Sequence, residues 1–226
     1  MLSGNHERDK GETRDRIVDA ACVLFAEKGY RNTTVAMICQ TAKANIAAVN
    51  YHFRSKENLY QEAWRHAHNQ IMMQFPPSDG VAPDRPAAER LKGMIRAGLQ
   101  RAMLGDAIEW RIVRNEMANP TGLLRQVIDD AIRPIRQSTQ QILRELLGRQ
   151  ATDLDVELCE ICVVAPLMHL THHREAEKHE GLAPIFTEAM MAKVTEHFTA
   201  FALAGIRDVR RRLVTSVASR KTRRCA

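Results

Sequence analysis

The sequence predicts an all-α fold of about nine helices, with a small N-terminal domain followed by a larger C-terminal one. Apolar residues recur at three- and four-residue steps along most of the 226-residue chain, and we find no strand-like alternation of useful length. Proline and glycine are sparse except in PPSDGVAPDRP, residues 76–86. Because proline cannot donate a hydrogen bond inside a helix, this segment is interpreted as a linker or loop.

The first predicted helix begins at Thr13, because residues 1–12 are polar and are expected to form a flexible terminus. Gly29 supplies its stop signal. The apolar residues of this helix share one face at helical spacing: Ile17, Ala20, Ala21, Leu24 and Phe25.

Three further helices are predicted before the linker. The first of them should begin at Thr33 or Thr34, since a threonine hydroxyl can cap free backbone N–H groups. Its buried positions would be Val35, Ile38 and Cys39. The three predicted helices cover residues 33–42, 45–53 and 55–75.

Beyond the linker, the apolar pattern predicts a helical domain over residues 87–206. Pro134 and Pro166 fall within two of its helices, and each is expected to kink or end the helix that contains it. Five helices are predicted in this domain: Ala87–Leu104, Asp106–Ala118, Thr121–Gly148, Asp153–Lys178 and Ile185–Ala204.

The net charge of +6 is concentrated at the C-terminal end of the chain. Residues 207–224 hold eight basic residues and one acidic residue, which amounts to +7 and leaves the rest of the chain at −1. We interpret residues 207–226 as a basic tail, for which a frayed helix end followed by disorder is favoured. The alternative is that DVRRRLV, residues 208–214, extends the final helix. The tail could contact a nucleic-acid backbone or simply keep the terminus soluble.

Several protein classes are excluded by what the sequence lacks. Five cysteines without framework spacing, and an N-terminus without a signal peptide, favour a reducing cytoplasm. The longest apolar run, ICVVAPLMHL, is about half the length of a membrane span, so no membrane association is expected. The sequence lacks H-E-x-x-H, G-x-S-x-G and a phosphate-cradling glycine loop. We therefore expect that the protein is not an enzyme and binds no cofactor.

Residues 33–53 have the layout of a helix-turn-helix. A capped helix of about eight residues ends in the turn AKAN, and a second helix follows, for which Asn45 is a good N-cap. The first helix would brace the second, so that the N-terminal part of the second can enter a DNA major groove. Spacing alone also allows a simple pair of short core helices.

The second helix of this motif has two distinct faces. Val49 and Phe53 lie one turn apart and are expected to face the core, while Ile46, Ala47 and Asn50 face outward. Ala47 permits close approach and can touch a thymine methyl group, and Asn50 can form a two-pronged hydrogen bond with adenine.

Phosphate contacts are expected from residues that flank this face. Tyr51 and His52 lie toward the end of the helix and can reach phosphate oxygens. Lys56 carries its charge beside the free N–H groups at the start of the fourth helix, where the helix dipole adds to the attraction.

The segment from Thr13 to Tyr60 resembles the DNA-binding domain of the TetR family of bacterial transcriptional regulators. The resemblance is carried by RIVDAACVLFAEKGYRNTTVAMICQTAKANIAAVNYHFRSKENLY, roughly a fifth of the chain. The F-x-x-x-G-Y join, the Thr-Thr start, the YHF end and the SKE-x-L start all sit at family spacing. The resemblance implies a three-helix DNA-binding domain over residues 13–60, with the fourth helix continuing to about residue 75.

The resemblance also assigns roles to individual residues. Thr33 would cap the second helix, and the base-facing positions would be Ile46, Ala47 and Asn50. The phosphate-contacting positions would be Thr34, Tyr51, His52 and Lys56.

One departure from the family pattern concerns the turn, which usually holds Ala-Gly but here holds Ala42 and Lys43. A left-handed conformation at Lys43 would cost about 1 kcal/mol. Either the turn is slightly altered or Lys43 adds a phosphate contact.

Residues 114–135, RNEMANPTGLLRQVIDDAIRPI, resemble the corresponding segment of the CecR-like subgroup of that family. Family members carry a helical C-terminal domain that dimerises and usually binds a small molecule. The resemblance therefore implies a dimeric regulator of transcription, most often a repressor, that a small-molecule effector releases from double-stranded operator DNA.

Candidate residues follow from this implied organisation. One recognition helix reads only a few base pairs, so a two-fold homodimer is needed. Its interface is expected on the last two predicted helices, at Val163, Val164, Leu167, Phe198, Phe201 and Ala202, some of which should also be core. An adaptable apolar effector pocket is expected among the mid-domain helices. Its candidate lining residues are Met94, Met103, Trp110, Met117, Met168, His169 and His172.

A metal-binding function is the alternative hypothesis. His169, His172 and His173 occupy positions i, i+3 and i+4, a spacing that can bind Zn²⁺ or Ni²⁺ from one helix face. A polar helix end or a pocket edge is the commoner outcome. Cys159 and Cys162 form a lone C-x-x-C, which favours buried thiols. The alternative is thus a metal-binding helical protein or a metal-responsive regulator.

Overall fold

The structure is a computed structural model that describes residues 3–105, 108–181, 183 and 186–224. Within these ranges it contains nine α-helices, one 3₁₀ helix and no strand, which confirms the predicted all-α fold. The elements are α1 (Ser3–Asn32), α2 (Val35–Ala42), α3 (Ile46–Phe53), α4 (Lys56–Gln74), α5 (Ala87–Leu104), α6 (Ile108–Ala118), α7 (Arg125–Leu147), α8 (Asp153–Glu180), the 3₁₀ helix (Glu188–Met190) and α9 (Met191–Arg224).

The described residues form two compact units. The N-terminal unit comprises residues 3–73 together with 108–132, and the C-terminal unit comprises residues 74–105 together with 133–224. Helix α6 and the start of α7 therefore group by their contacts with the N-terminal helices, although they lie far beyond the Pro/Gly-rich loop in sequence.

The core of the N-terminal unit is built from the apolar faces of α1 to α4, α6 and the start of α7. Phe25, Tyr30 and Tyr60 form an aromatic cluster, with ring centroids 4.7 Å apart for Phe25–Tyr60 and 5.0 Å apart for Tyr30–Tyr60. Aromatic pairs of this kind add about 0.5–1.5 kcal/mol beyond their buried area. Gly29 (φ 71°) breaks the regular helix just before Tyr30, as the sequence predicts, and the helical assignment resumes to Asn32.

The core of the C-terminal unit lies between α5, α7, α8 and α9. Two glycines let α5 approach its neighbours closely. A Cβ atom at Gly98 would lie 2.6 Å from Leu167 Cδ1, and one at Gly93 would lie 2.7 Å from the carbonyl oxygen of Ser78. Gly93 has no room for a side chain, because the obstacle there is backbone, whereas a side chain at Gly98 would require the Leu167 side chain to move. No helix among the described residues has both the length and the apolar composition that a bilayer span requires.

The two chain ends are more helical than predicted. α1 begins at Ser3 rather than Thr13, so residues 3–12, which were predicted to form a flexible terminus, belong to the helix. α9 continues to Arg224, so the prediction of a frayed end followed by disorder is wrong over the described residues. Residues 207–224 contain neither glycine nor proline and are rich in arginine, which favours helix even where apolar periodicity has faded.

The two prolines inside helices do not end them. α7 runs through Pro134 and α8 runs through Pro166. A proline removes one backbone hydrogen bond, and the packing of a long helix on both sides can outweigh that loss.

Candidate nucleic-acid interface

Helices α2 and α3 form the helix-turn-helix, and polar caps fix both of its starts. Thr34 is the N-cap of α2, where its hydroxyl accepts a hydrogen bond from Met37 N at 3.2 Å. Asn45 is the N-cap of α3, where its Oδ1 accepts from Ala48 N at 2.9 Å. Each cap of this type contributes about 1 kcal/mol to helix stability.

Lys43 at the C-cap of α2 adopts the left-handed conformation considered above, with φ 50° and ψ 45°. Its backbone N–H bonds to carbonyl oxygens of the last turn of α2, and Ala44 N donates to Cys39 O at 3.0 Å. The turn therefore keeps its shape without glycine and carries a strain of about 1 kcal/mol. The Lys43 side chain is exposed.

Helix α3 has one buried and one exposed face, as predicted. Val49 and Phe53 are buried in the core of the N-terminal unit. The exposed face carries Ile46, Ala47 and Asn50, the three side chains predicted to meet base edges. An exposed amide flanked by small and branched apolar groups matches the hydrogen-bonding and methyl contacts available in a major groove.

Thr33 requires a correction. It neither caps α2 nor reaches the surface, because it is fully buried at 0% exposure. Its hydroxyl lies 3.1 Å from the carbonyl oxygen of Leu24 and 2.8 Å from that of Gly29. Thr33 therefore joins the start of α2 to the end of α1. The prediction that it caps α2 is wrong, and its buried side chain is not available for a DNA contact. Thr34 is the exposed member of the pair.

The start of α4 presents a charged cluster beside α3. The Lys56 ammonium lies 4.1 Å from the centroid of the Tyr30 ring, a cation–π contact, and burial lowers the pKa of Lys56. The Tyr30 hydroxyl donates to Glu57 Oε1 at 2.7 Å. This hydrogen bond lowers the pKa of Glu57 to about 2, while burial together with the same bond raises the pKa of Tyr30 to about 12.

Tyr51 and His52 complete the flank. Tyr51 is exposed and His52 is half-buried, and their rings meet edge to face at 5.0 Å. Both side chains sit on the last turn of α3, where the sequence predicts phosphate contacts.

Helix α6 is joined to α1 and α4 within the N-terminal unit by long-range hydrogen bonds. Asn115 Nδ2 donates to the carbonyl oxygens of Phe25 (3.1 Å) and Ala26 (2.9 Å) near the end of α1. The Tyr60 hydroxyl donates to Glu116 Oε2 at 3.1 Å. Sequence reasoning missed these contacts, although both α6 residues lie in the RNEMANPT stretch that it singled out.

The residues predicted to line an effector pocket are not gathered at one place. Trp110 and Met117 belong to the N-terminal unit, and Met117 is a surface residue. Met103 is buried in the C-terminal core. Met94 lines a cavity of about 280 Å³ next to the loop at residues 77–83. Three more are exposed on α8, namely Met168, His169 and His172.

The predicted dimer residues divide in the same way. Val163 and Leu167 are buried within the C-terminal core, so they are not free to contact a second copy. Phe201 is 78% exposed, as an interface residue should be. The remaining predicted residues are partly buried: Val164, Phe198 and Ala202.

Besides the buried face with Val163 and Leu167, α8 carries an exposed apolar stripe that was not predicted from the sequence. It is exposed along the helix at steps of three, four and seven residues, which places its members on one face. The stripe consists of Leu154, Leu158, Ile161 and Met168.

The structure shows no metal site at the candidate ligands among the side chains that it describes. Among the described residues, no three or more His, Cys, Asp or Glu side chains are grouped so that they could hold an ion. His173 Nδ1 instead pairs with Glu177 Oε1 at 3.3 Å. Cys159 is buried, as predicted, but Cys162 is exposed, so the prediction of buried thiols is wrong for Cys162.

Two family profiles match the chain. Residues 17–63 match the family "Bacterial regulatory proteins, tetR family". Residues 87–206, more than half of the chain, match "HTH-type transcriptional dual regulator CecR, C-terminal domain". The chain belongs to the TetR family of bacterial transcriptional regulators. The predicted resemblance to the CecR-like subgroup is confirmed with it.

Similar proteins support this assignment for the regulator. IcaR of Staphylococcus aureus, the negative transcriptional regulator of the icaADBC biofilm operon, is 38% identical over 64 residues, which are 26% of the regulator and 34% of IcaR. The chain thus aligns with only about a third of that relative's length.

Solved structures share the fold over most of the regulator. A Pseudomonas aeruginosa PAO1 protein, solved as a candidate transcriptional regulator, superposes with a TM-score of 0.68 at 21% identity, over 92% of this chain and 94% of the other. AibR, solved with isovaleryl coenzyme A and operator DNA, gives a TM-score of 0.58 at 17% identity, over 84% of this chain and 97% of AibR. At these identities the likeness concerns the fold alone.

Proposed function

We propose that the regulator is a homodimeric, sequence-specific repressor that a small-molecule effector, bound within residues 87–206, releases from operator DNA. The observation that carries the proposal is the exposed face of α3, where Ala47 and Asn50 stand free of the core on a helix capped at its start. The aligned relative IcaR is a negative regulator, which favours repression.

In the proposed complex, α3 enters the major groove and its residues divide the work. Asn50 reads adenine, Ala47 meets a thymine methyl group, and Ile46 packs against the base edges. Phosphate contacts come from Thr34, Lys43, Tyr51, His52 and Lys56, which surround that face. Asn45 contributes by orienting α3 through its cap.

Dimerisation is proposed through the exposed apolar stripe of α8 and the exposed part of α9. Leu158 and Ile161 lie at the middle of the stripe, and Phe201 of α9 is flanked by the small exposed residues Ala204 and Gly205. Helices α8 and α9 contact each other. Burial of such a surface against a second copy would remove several large apolar groups from water, each worth about 1.5–3 kcal/mol.

The domain organisation of the proposed regulator follows the predicted division: DNA binding by residues 13–60, and effector binding and dimerisation by residues 87–206. The fold is shared with AibR, whose structure holds both an acyl coenzyme A and operator DNA. Effector binding would alter the separation or orientation of the two reading heads, and phosphate contacts that depend on position would then be lost.

A metal-dependent function is not favoured, because no observation on the described residues supports the histidine cluster as a site. Metal content of the purified protein remains a direct check on that alternative.

The proposal is tested by incubating the purified full-length protein with fragmented genomic DNA and sequencing what it retains. We expect enrichment of a two-fold symmetric site with half-sites about 34–36 Å apart, one helical turn of DNA. Retention of fragments without a common motif, or of a single unrepeated half-site, would contradict the proposed symmetric dimer.

A further inference from the structure

The C-terminal unit contains a cavity of about 540 Å³ that none of the predicted effector residues lines. Its walls come from α5 on one side and from the 3₁₀ helix and the start of α9 on the other. This volume lies within the range of about 300–1,000 Å³ that is usual for small-molecule sites.

The α5 wall is a single row of side chains. Lys92, Arg96, Gln100 and Leu104 follow one another at four-residue steps, so they lie along one face of the helix. The row changes from cationic to polar to apolar in that order. From Arg96 to Leu104 it extends about 12 Å along the helix axis.

The opposite wall contains a buried polar atom without a partner. Thr195 lines the cavity and is only 3% exposed. Its hydroxyl oxygen has no hydrogen-bond partner among the residues that the structure describes. A buried hydroxyl without a hydrogen-bond partner costs free energy, so such a group often binds a ligand or an ordered water molecule. Thr199, one turn further, differs because its hydroxyl donates to Thr195 O at 2.7 Å.

The charges at the cationic end differ in how well they are satisfied. Lys92 Nζ donates to Glu196 Oε2 at 2.7 Å. Arg96 faces Asp79 at 3.5 Å, which is longer than a normal charge-assisted hydrogen bond. A guanidinium group carries five N–H donors, so Arg96 has capacity to bind a carboxylate in a bidentate manner.

The lining also contains apolar residues and acids. Leu104 of α5, Met191 and Ala192 of α9, and Ala189 of the 3₁₀ helix are apolar, and Glu188 of the 3₁₀ helix adds a second carboxylate to that of Glu196. A ligand that follows the α5 row, with Arg96 near one end and Leu104 at the other, has an anionic head and an apolar chain.

From this geometry we propose that the cavity is the effector site of the regulator and takes an organic carboxylate with an apolar chain. The carboxylate binds Arg96, the Thr195 hydroxyl donates to it, and the chain lies toward Leu104. The inference rests on the proposed function in treating the ligand as an effector, but the binding itself can be measured without DNA.

The test is calorimetric titration of the full-length protein with three probes that share an eight-carbon chain: octanoate, octylammonium and 1-octanol. We expect saturable binding of octanoate and at least about tenfold weaker binding of the other two, since both lack the charge that Arg96 recognises. Tighter binding of octylammonium or octanol than of octanoate would overturn the proposal.

Two variants and two matched controls locate the site. Arg96→Gln should weaken octanoate binding about tenfold or more, and Thr195→Val about three- to tenfold. Lys193→Gln removes an exposed charge of α9 that is not in the cavity wall, and Thr199→Val removes a partnered hydroxyl; both should leave the affinity within about twofold of the parent. Unchanged octanoate affinity in Arg96→Gln and Thr195→Val would overturn the assignment.

Thr195→Val has a second readout that separates a ligand-binding role from a purely structural one. Because valine removes the unpartnered hydroxyl at nearly constant volume, we expect the ligand-free variant to melt about 2 °C higher than the parent. A lower melting temperature would mean that the hydroxyl already stabilises the fold, and would contradict the proposal.

Operator binding by the same preparations distinguishes the two levels of inference. A protein that retains operator DNA but shows no octanoate binding would overturn the carboxylate site and leave the proposed regulator intact. A protein that binds octanoate but no DNA sequence specifically would support the site and overturn the proposed function.

Discussion

The two units of the regulator encode their surfaces in different ways. In the N-terminal unit, short helices of eight residues are bounded by polar caps, so a few side chains decide which face of α3 is exposed. In the C-terminal unit, α8 is 28 residues long and apolar on two sides, and only its neighbours decide which side is buried. Local polar signals therefore specify the proposed DNA-reading surface, whereas tertiary packing specifies the proposed dimer surface.

The largest effect is expected from the exposed stripe of α8. Replacing Leu158 and Ile161 together by aspartate should prevent dimerisation, because paired carboxylates would be buried in the proposed apolar interface. Loss of the second reading head should weaken operator binding about 100-fold or more. Sedimentation equilibrium and fluorescence anisotropy with operator DNA measure the two effects.

Met73→Asp is the control for this pair, since Met73 is an apolar residue outside the stripe that is even more exposed than Leu158 and Ile161. It should remain dimeric. If the double variant also stays dimeric, the two units would not differ in the way proposed, and the interface must lie elsewhere.

A smaller effect should follow from removal of a cap in the N-terminal unit. Asn45→Ala takes away the acceptor for Ala48 N and should lower the free energy of unfolding by about 1 kcal/mol. Asn45→Asp keeps the acceptor and should preserve stability, but its charge should weaken DNA binding by repelling phosphates. Urea denaturation measures the stability of the two variants, and fluorescence anisotropy measures their DNA binding. If Asn45→Ala is as stable as the parent, the Asn45 cap does not stabilise α3.

The N-terminal unit could be predicted from the sequence in more detail than the C-terminal unit. Thr34 and Asn45 are strong N-cap residues, so the starts of α2 and α3 and the outward face of α3 could be predicted. Lys43 has no such preference for the left-handed turn, so its conformation was left open. On α8 the apolar residues form two stripes, and sequence alone could not decide that Val163 faces the core while Ile161 faces outward.

Other misses have equally physical causes. Thr33 and Thr34 are chemically identical, and only the position of Leu24 O and Gly29 O decides which hydroxyl is buried. The cavity with Thr195 depends on how α5 and α9 meet, and contacts between distant helices leave no local signal in the chain. The i+4 row on α5 was visible in the sequence, but nothing there showed what faces it.

A comparable but opposite effect is expected at the turn between α2 and α3. Lys43→Gly relieves the left-handed strain at φ 50° and should raise the free energy of unfolding by roughly 0.5–1 kcal/mol. If the ammonium also meets a phosphate, the salt dependence of log K should become shallower by about 0.9. Lys43→Ala removes the same charge without relieving the strain, and so isolates the electrostatic part.

The smallest effect concerns the cluster at the start of α4. The Tyr30 hydroxyl holds the pKa of Glu57 at about 2, below the ordinary 4.5, so the ionised form is favoured in the folded state. Its contribution to stability is complete above about pH 4.5 and is lost as the pH falls toward 2.

Glu57→Gln should therefore reduce the loss of stability between these pH values, as measured by urea unfolding at several pH values. Glu27→Gln, which removes another exposed carboxylate of the N-terminal unit, serves as the control. An acid limb in Glu57→Gln that is as steep as that of the parent would show that the Tyr30–Glu57 bond contributes nothing measurable.

The central claim is that the exposed face of α3 reads base pairs while Lys56 holds the phosphate backbone. Its most direct test is the affinity of the parent, Asn50→Ala and Lys56→Ala for the enriched operator and for unrelated DNA, at several salt concentrations. The account predicts that Asn50→Ala loses about 1–3 kcal/mol on the operator alone, while Lys56→Ala loses affinity for both DNAs and has a salt slope smaller by about 0.9. Parent-like binding by both variants would contradict it.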